Sequence, residues 1–489
     1  DTLSGFEKVI GSSYADKFYV NENENNTLDG GDGTNDGTNG GDTVDYSVRL
    51  TDSTDKIVAN LSNATFGAGV ISNSVQITNN GVQTVTDTLI SIENITGTSG
   101  ADTLIGGAGA NTLKGGAGDD FIEGGAGADY LDGGTDGSNG DVVYYGNATL
   151  ENGKGVIVDL SKNIAQAIGG NQGNDTLIEI ENIIGSGFAD TFRGDSTKSN
   201  TFNGGMTLSN GNEIVGDNND TVSYDALTNS SDKIVVDLTN TTTANVQVIV
   251  GGVAQGSDTL TYIENVVGTA GDDTFKGNND NNSFVGGIGN DTFYATSDTD
   301  GADVIDGDDT TNSGSDTVDY SALNNSANKI VVDLSTLNNG YSTVTVTAAT
   351  SETTNSTAND DLIRNIENVV GTSGNDIITG DTSKNILSGA DGTDNIDGAN
   401  GDDIIYGETN INYFTSSSTA GAVAIGDVVE VGNIYYRAKI AQASVAFNIE
   451  VYSNTNNWES YNTYGNDILN GGLGKDTIFG GVGVDTIKG

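Results

Sequence analysis

Large apolar residues recur every nine positions in several stretches of the chain, and each follows an acid or amide by two places. Residues 371–405 hold four consecutive copies of this cycle, and each copy opens with a glycine. The positions are Gly371, Gly380, Gly389 and Gly398, then Asp376, Asn385, Asp394 and Asp403, then Ile378, Leu387, Ile396 and Ile405. Because side chains alternate along a strand, each copy predicts a short strand with one inward side chain. The pattern predicts a coiling chain rather than an ordinary globular core.

The same cycle recurs in three more blocks, at residues 97–134, 268–294 and 465–489. The sixth position of each copy holds an acid or amide, and the eighth position holds the apolar residue. The sixth-position residues are Asp102, Asn111, Asp120, Asp129, Asp273, Asn282, Asp291, Asp467, Asp476 and Asp485. Blocks of three or four copies in step make chance a poor explanation of the pattern.

Stacking of the turns follows from the length of one coil. Two nonapeptides complete a coil, so turns of the same parity stack on the same side of the molecule. We therefore expect Asp376 and Asp394 to stack together, and Asp403 to lie over Asn385.

A longer repeat of about 80–100 residues encloses the nonapeptides. It runs from a tyrosine strand (D-T-V-D-Y-S at 42–47) through an I-V-V-D-L strand and a variable segment to an exit motif containing I-E-N. Alternation of Ile234, Val236 and Leu238 with polar neighbours predicts a strand, and no segment has sustained helical periodicity. Such repeats stack on their neighbours. We predict an all-β fold, a parallel β-roll or β-helix solenoid of about four long repeats over residues 1–407.

Each exit motif contains a glutamate whose role the sequence leaves open. The four residues are Glu93, Glu181, Glu264 and Glu367. They either ligate a metal or bond backbone amides at a turn.

Residues 408–464 interrupt the solenoid with a concentration of aromatic residues, including the only tryptophan of the chain, Trp458. The stretch 426–440 predicts a small antiparallel β module. Nonapeptides return at residues 465–489. Since both ends of the chain fall inside repeat units, we expect a processed form or a piece of a longer protein.

Calcium is the cation that these turns suit. Glycine accepts a positive φ and lets a tight turn aim its carbonyls at one point, and the aspartate adds a charged oxygen. Calcium takes six to eight oxygens in a flexible shell, whereas magnesium demands a small octahedron. Zinc is disfavoured because the chain has no His and no Cys. The alternative is a solenoid of solvated Asp-Gly turns that needs no metal, and it weighs most for the irregular copies around Asp16 and Asp190.

The formal net charge of -51 limits the partners that the protein can bind. Nucleic acid is excluded because phosphate binding needs Lys and Arg, and anionic lipid is disfavoured for the same reason. A compact chain of this charge repels itself unless it binds counter-ions. We therefore expect a loosely folded metal-free chain and a rigid metal-bound one. The chain has no stretch of eighteen apolar residues, so no membrane span is predicted.

Both repeat patterns resemble those of RTX-type bacterial secreted proteins, including long adhesins and surface-layer proteins. The resemblance implies a parallel β-roll, an extracellular or cell-surface location, export by type I secretion and folding on contact with external calcium. It also implies that the sixth-position aspartates bind calcium, whereas the Asn-bearing turns are weaker or empty. The implied ligands are Asp102, Asp120, Asp129, Asp273, Asp291, Asp376, Asp394, Asp403, Asp467, Asp476 and Asp485.

The 408–464 segment resembles a small chitin-binding-type carbohydrate module through G-D-V-V-x-x-G-x-I-Y-Y-R-A and the later tryptophan. The usual early tryptophan is missing, and Phe414 stands near its place. The resemblance implies that Tyr435, Tyr436 and Trp458 bind glycans by stacking on sugar rings. The favoured alternative is that these aromatics form the core of a small domain.

Two functions fit these features. The first is a calcium-stabilised structural protein that self-associates in a surface layer or extracellular filament. The second is a segment of a secreted adhesin that presents residues 408–464 to glycans. An enzyme is not expected, because without His neither a Ser-His-Asp triad nor an H-E-x-x-H zinc site can form. A carboxylate-only glycosidase stays formally open, and ice binding is a minor option.

Overall fold

The chain divides into two compact units, Asp1–Ala270 and Gly271–Gly489. The computed structural model describes residues 7–20, 24–31, 41–48, 54–62, 72–79, 82–209, 212–215, 219–240, 243–295, 301–308, 314–323, 328–347, 360–407, 413–414, 428–431, 434–438, 458–461, 466–480 and 484–488. Within these ranges the secondary structure is strand and turn, and no helix is present that could cross a membrane. The prediction of an all-β fold is confirmed.

Short strands dominate the first unit, and most nonapeptide strands are three residues long. The strands are β1 (Lys8–Ile10), β2 (Lys17–Tyr19), β3 (Thr27–Asp29), β4 (Thr43–Asp45), β5 (Lys56–Asn60), β6 (Ser74–Asn79), β7 (Val82–Ile90), β8 (Asn94–Thr96), β9 (Thr103–Ile105), β10 (Thr112–Gly118), β11 (Phe121–Glu123), β12 (Tyr130–Asp136), β13 (Val142–Tyr144), β14 (Ile157–Asp159), β15 (Gln166–Ala167), β16 (Asn174–Ile178), β17 (Asn182–Ile184), β18 (Thr191–Arg193), β19 (Thr201–Asn203), β20 (Met206–Ser209), β21 (Asn212–Val215), β22 (Thr221–Ser223), β23 (Lys233–Asp237), β24 (Ala244–Val250), β25 (Val253–Thr261) and β26 (Asn265–Val267).

Consecutive nonapeptide strands alternate between two parallel sheets. In one sheet the order includes β4, β8, β10, β12 and β16, and in the other it includes β5, β9, β11, β13, β17 and β19. Leu113 on β10 lies level with Leu131 on β12, and Leu104 on β9 lies level with Ile122 on β11. Partners are thus 18 residues apart in sequence, so two nonapeptides make one coil. The predicted parallel β-roll is confirmed.

The I-V-V-D-L strand, the variable segment and the exit motif form a three-stranded antiparallel meander. In the first copy β5 pairs antiparallel with β6, and β6 pairs antiparallel with β7. The outer strands of the meander rejoin the roll, because β7 pairs parallel with β3 and β5 pairs parallel with β9. The variable segment is therefore a strand that widens the sheet without ending the coil.

The second unit repeats this architecture. Its strands are β27 (Thr274–Lys276), β28 (Ser283–Gly287), β29 (Thr292–Tyr294), β30 (Val304–Asp308), β31 (Thr317–Asp319), β32 (Lys329–Asp333), β33 (Ser342–Thr347), β34 (Asp361–Arg364), β35 (Asn368–Val370), β36 (Ile377–Thr379), β37 (Ile386–Ser388), β38 (Asn395–Asp397), β39 (Ile404–Tyr406), β40 (Tyr413–Phe414), β41 (Val428–Val431), β42 (Ile434–Ala438), β43 (Trp458–Tyr461), β44 (Ile468–Asn470), β45 (Thr477–Phe479) and β46 (Thr486–Lys488). A meander of β32, β33 and β34 again lies within a parallel sheet.

Strands β40 to β43 form a separate four-stranded sheet between two coils of the second unit. Strand β42 pairs antiparallel with β41 and with β43, whereas β40 and β41 are parallel. The roll closes over this insertion, because β38 pairs directly with β44 and β39 with β45. The side chains of Tyr435, Tyr436 and Trp458, and most of residues 408–464, lie outside the described part of the structure. Glycan binding by this segment stays a prediction.

The central side chain of each nonapeptide strand forms the core. Leu104, Leu113 and Ile122 are fully buried, as are Ile378 and Leu387 in the second unit. In the 268–294 block the core residues are aromatic and stack along the roll. The ring centroids of Phe275 and Phe293 lie 4.9 Å apart with an interplanar angle of 12°. The core is thus a row of single side chains from successive coils.

We expect Ile378→Ala to lower the free energy of unfolding of the calcium-bound protein by about 2–5 kcal/mol, because it leaves a cavity in this row. Ile377→Ala is the matched control, since Ile377 is the preceding residue and is 43% exposed. Its effect should be below about 1 kcal/mol. Urea unfolding in saturating calcium measures both changes, and equal losses would contradict the inward assignment of position eight.

Candidate metal centre

The turns of the roll leave no room for side chains at their first glycine. A Cβ on Gly115 would overlap Asp120 Oδ2 from its own turn and would lie 2.6 Å from the carbonyl oxygen of Gly133 in the next coil. The next residue, Gly116, has a φ of 117°, which L side chains rarely adopt. A carboxylate oxygen and a carbonyl oxygen therefore face one small space that only glycine leaves open.

Sixth-position acids of successive coils form ladders along the roll. The Asp102 N–H donates to Asp120 Oδ1 at 2.7 Å, and the Asp120 N–H donates to Asp141 Oδ1 at 2.7 Å. The series ends where the Asp141 N–H donates to Glu181 Oε2 at 3.0 Å. We name such a series a glutamate-ended ladder. The second unit contains the equivalent ladder of Asp273, Asp291, Asp316 and Glu367.

The opposite side of the roll carries a second kind of ladder. The Asn111 N–H donates to Asp129 Oδ1 at 2.7 Å, and the Asp129 N–H donates to Asp175 Oδ1 at 3.0 Å. Here the last carboxylate accepts a hydrogen bond from a buried tyrosine, from Tyr145 Oη to Asp175 Oδ2 at 3.0 Å. We name this a tyrosine-ended ladder. The same tyrosine bond joins Tyr46 to Asp87, Tyr224 to Asp258 and Tyr320 to Asp361.

The last nonapeptides form two ladders that contain all six remaining predicted ligands. One joins Asp376, Asp394, Asp467 and Asp485 with N–H to Oδ1 distances of 2.8, 2.9 and 3.2 Å. The other joins Asn385, Asp403 and Asp476 with distances of 2.9 and 3.3 Å. Asp376 is thus stacked with Asp394, and Asp403 lies beside Asn385. Asp476 and Asp485 are half-buried, whereas the other acids in these ladders are buried.

One oxygen of many ladder acids is buried without a hydrogen-bond donor. These atoms are the Oδ2 oxygens of Asp120, Asp129, Asp141, Asp291, Asp403 and Asp467. A buried carboxylate oxygen without a donor is costly unless a cation compensates it. The neighbouring ligands are backbone carbonyls, and the donor set of carboxylate and carbonyl oxygens without nitrogen or sulfur is the one calcium prefers. The residues therefore fit calcium, which would supply the missing positive charge.

Backbone donors serve both oxygens of Asp102 and both oxygens of Asp376. Asp102 Oδ1 accepts the Ile57 N–H at 2.7 Å and Oδ2 accepts the Thr98 N–H at 2.6 Å. Asp376 is bonded in the same way by Ile330 and Thr372. Each of these acids follows an exit motif, where a Thr occupies the second turn position. Their carboxylates hold the adjacent meander strand to the first turn of the block.

The Asn-bearing turns satisfy the same position with an amide. Asn111 Oδ1 accepts the Gly107 N–H at 2.8 Å, and Asn111 Nδ2 donates to the carbonyl oxygen of Glu93 at 2.6 Å. Asn385 Nδ2 likewise donates to the Glu367 carbonyl oxygen at 2.9 Å. An aspartate there would set a carboxylate oxygen against a carbonyl. The amide N–H thus binds the carbonyl oxygen that a cation would bind in an aspartate turn.

The exit-motif glutamates accept backbone hydrogen bonds, one of the two roles that the sequence left open. The Asp42 N–H donates to Glu93 Oε2 at 2.8 Å, and the other three glutamates repeat the bond at 2.9 to 3.1 Å. The donors are acids that sequence reasoning missed, Asp42, Asp141, Asp220 and Asp316. Each is followed two places later by a buried valine, which is the D-x-U signal of a nonapeptide whose glycine turn has been lengthened.

Burial raises the pKa of several buried ladder carboxyls well above the ordinary range. Desolvation, followed by the charges of neighbouring ladder acids, raises the pKa of Asp120 and of Asp291 to about 8. Desolvation also raises the pKa of Asp129 and of Asp141 to about 7. The charged forms are therefore unfavourable without a cation, and a bound divalent ion reverses that balance.

The comparison with protein families agrees with this geometry. The family of RTX calcium-binding nonapeptide repeats matches residues 96–131, 105–138, 258–293, 267–300, 370–405 and 461–489. These matches contain all eleven sixth-position aspartates that the sequence indicates as ligands. The repeats are calcium-binding. Comparison with curated proteins finds no match.

We expect Asp120→Asn to reduce the stabilisation by calcium, because the amide removes the charged oxygen and its N–H₂ can donate to the Gly133 carbonyl. With calcium at about 100 times its Kd, loss of one site removes roughly 2–3 kcal/mol of that stabilisation. Asp102→Asn is the contrast, because it sets an amide N–H₂ against a backbone N–H. It should destabilise the protein equally with and without calcium. Thermal unfolding with calcium and with chelator measures both, and an Asp120→Asn protein with undiminished calcium stabilisation would contradict the assignment.

The raised pKa values predict that the metal-free protein loses structure as pH rises. Between about pH 4 and pH 8 the folded chain holds protons on Asp120, Asp291 and similar acids that the unfolded chain has released, so stability falls with increasing pH. Circular dichroism in chelator should therefore show less β signal at pH 8 than at pH 5. Saturating calcium should abolish the trend. A β signal that increases with pH in chelator would refute this account.

Proposed function

We propose that this chain, whose nonapeptide blocks match the family of RTX calcium-binding repeats, is a calcium-stabilised extracellular structural protein. It forms part of a surface layer or filament and self-associates once calcium has folded it. RTX-repeat proteins are typically secreted by bacteria. Export by a type I system delivers a chain unfolded, which suits a chain that folds only when it binds external calcium.

The observation that carries the proposal is the row of buried carboxylate oxygens without donors in both units. Asp120 and Asp129 in the first unit, and Asp291, Asp403 and Asp467 in the second, each need a cation in the folded state. Folding is therefore coupled to calcium along the length of each roll. The acids connect successive coils, because ladder oxygens accept backbone N–H groups and face backbone carbonyls.

A structural role also accounts for the acids without assigning any of them to a reaction. The ladder carboxylates lie in spaces that glycine turns close around, where a substrate has no room. The chain contains no His, so general-base chemistry of the Ser-His-Asp kind is absent from the sequence. We propose that the protein is not an enzyme.

The alternative function is glycan binding by the inserted module. Strand β42, with Tyr435 and Tyr436, pairs along its length with β43, which begins at Trp458. The aromatic residues of these two strands support this alternative, because aromatic rings can stack on sugars, and the protein would then be a secreted adhesin. In this alternative the roll is a rigid stalk that presents the module.

Electron microscopy of the full chain separates the two functions. We expect ordered arrays or filaments with calcium at about 10⁻³ M, the concentration range of extracellular calcium modules. Magnesium at the same concentration is the matched control and should give none, and chelator should dissolve the arrays. Circular dichroism on the same samples reports folding separately from assembly. A chain that is folded in calcium yet remains monomeric would overturn the structural proposal, and glycan retention abolished by Trp458→Ala would then support the adhesin.

A further inference from the structure

Each exit motif places a non-glycine residue in the left-handed region of backbone conformation. The residues are Ser91, Glu179, Tyr262 and Asn365, with φ angles of 48°, 46°, 53° and 53°. Each stands two places before the exit-motif glutamate. Their side chains have nothing in common, so the conformation serves the backbone. A conformation repeated four times in unrelated residue types indicates that the direction of the carbonyl matters.

The carbonyl of each left-handed residue points toward the second carboxylate oxygen of a ladder acid. A Cβ on Gly133 would overlap both the Glu179 carbonyl oxygen and Asp141 Oδ2. In the nonapeptides the same place is taken by the carbonyl of a first-position glycine one coil later. The arrangement recurs at Gly30 with Ser91 and Asp42, at Gly204 with Tyr262 and Asp220, and at Gly307 with Asn365 and Asp316.

Asp141 shows that this space lacks a positive charge. Its side chain is completely buried, its Oδ1 accepts the Asp120 N–H, and its Oδ2 has no hydrogen-bond donor. Carboxylate oxygens of Asp136, Asp141 and Glu181 lie within 4.8 Å of one another. The Glu179 carbonyl oxygen and Asp141 Oδ2 therefore lie close together, beside further carboxylates, and Asp141 Oδ2 has no hydrogen-bond donor.

The nearby ammonium does not neutralise the cluster. Lys198 Nζ lies 2.6 Å from Glu181 Oε1 and 2.9 Å from Glu179 Oε2, on the outer oxygens of the exit motif. One ammonium set against the four carboxylates of Asp136, Asp141, Glu179 and Glu181 leaves an excess of three negative charges. A divalent cation beside Asp141 would offset most of this excess.

We propose that each exit motif completes a calcium site that lies outside the regular nonapeptide blocks. Its ligands are the Oδ2 of Asp42, Asp141, Asp220 or Asp316 and the carbonyl oxygen of the left-handed residue opposite. At Asp141 the carboxylate of Asp136 adds a third oxygen. Calcium suits the site because it accepts mixed carboxylate and carbonyl oxygens in an irregular shell. The ion joins the tyrosine strand to the exit motif, 38 to 49 residues later in sequence, and so closes the long repeat.

The test compares two fourfold variants of the full chain. Asp→Asn at 42, 141, 220 and 316 should lower the number of bound calcium ions by four, measured by equilibrium dialysis and metal analysis. Asn keeps the Oδ1 that accepts the ladder N–H, and its Nδ2 can donate to the facing carbonyl, as Asn111 Nδ2 does to Glu93. The matched control is Asp→Asn at 87, 175, 258 and 361, the tyrosine-bonded ends of the other ladders. Its calcium count should equal that of the natural chain.

An unchanged count in the first variant overturns the proposal, and so does an equal loss in both variants. If the first variant does not fold in calcium, Asp136→Asn replaces it, because Asp136 is exposed and its removal leaves the ladder intact. That change should weaken the binding of one ion by about tenfold, and an unchanged calcium titration would overturn the proposal. The outcome is independent of the surface-layer function, since a monomeric chain can still bind these ions.

Discussion

Successive coils of this protein bury carboxylates in their turns, and in acids such as Asp120 and Asp291 only one of the two oxygens has a backbone donor. The first oxygen accepts the N–H of the equivalent residue in the preceding coil, which holds the coils in line. The second oxygen lies against a backbone carbonyl in a space closed by glycine. Burying such an oxygen without compensation is unfavourable, because desolvation opposes the charged form. The ladders differ in which group or ion offsets the negative charge of this second oxygen.

Four kinds of positive partner serve the second oxygen of the sixth-position side chain or replace it. Asp120 and Asp291 have none within the protein and need a cation. Asn111 and Asn385 carry their own amide donor. Asp175 accepts a buried tyrosine hydroxyl, and the acids after an exit motif accept a backbone N–H. Metal-dependent and metal-independent rungs therefore alternate along one molecule, so calcium need not fill every turn to hold the roll together.

This division explains how a chain with a net charge of -51 can be compact. The charges that calcium offsets are concentrated inside the turns, where the dielectric is low and their mutual repulsion is strongest. Without the ion, protons compete for the same oxygens, and folding depends on pH. With it, each turn becomes a link between two coils.

The sequence by itself determined the coil and the row of sixth-position acids, because both are local. Nine residues set one turn and one strand, 18 set one coil, and the eighth-position residues such as Ile378 and Leu113 had to face inward for the strand to bury anything. What ends a row was decided only by the tertiary structure. The bond of Tyr145 to Asp175, the contact of Glu93 with the Asp42 amide and the carbonyl of Glu179 beside Asp141 join residues 30 to 51 positions apart. No fixed spacing encodes them, because the meander between the partners varies in length while the coil on either side keeps its register.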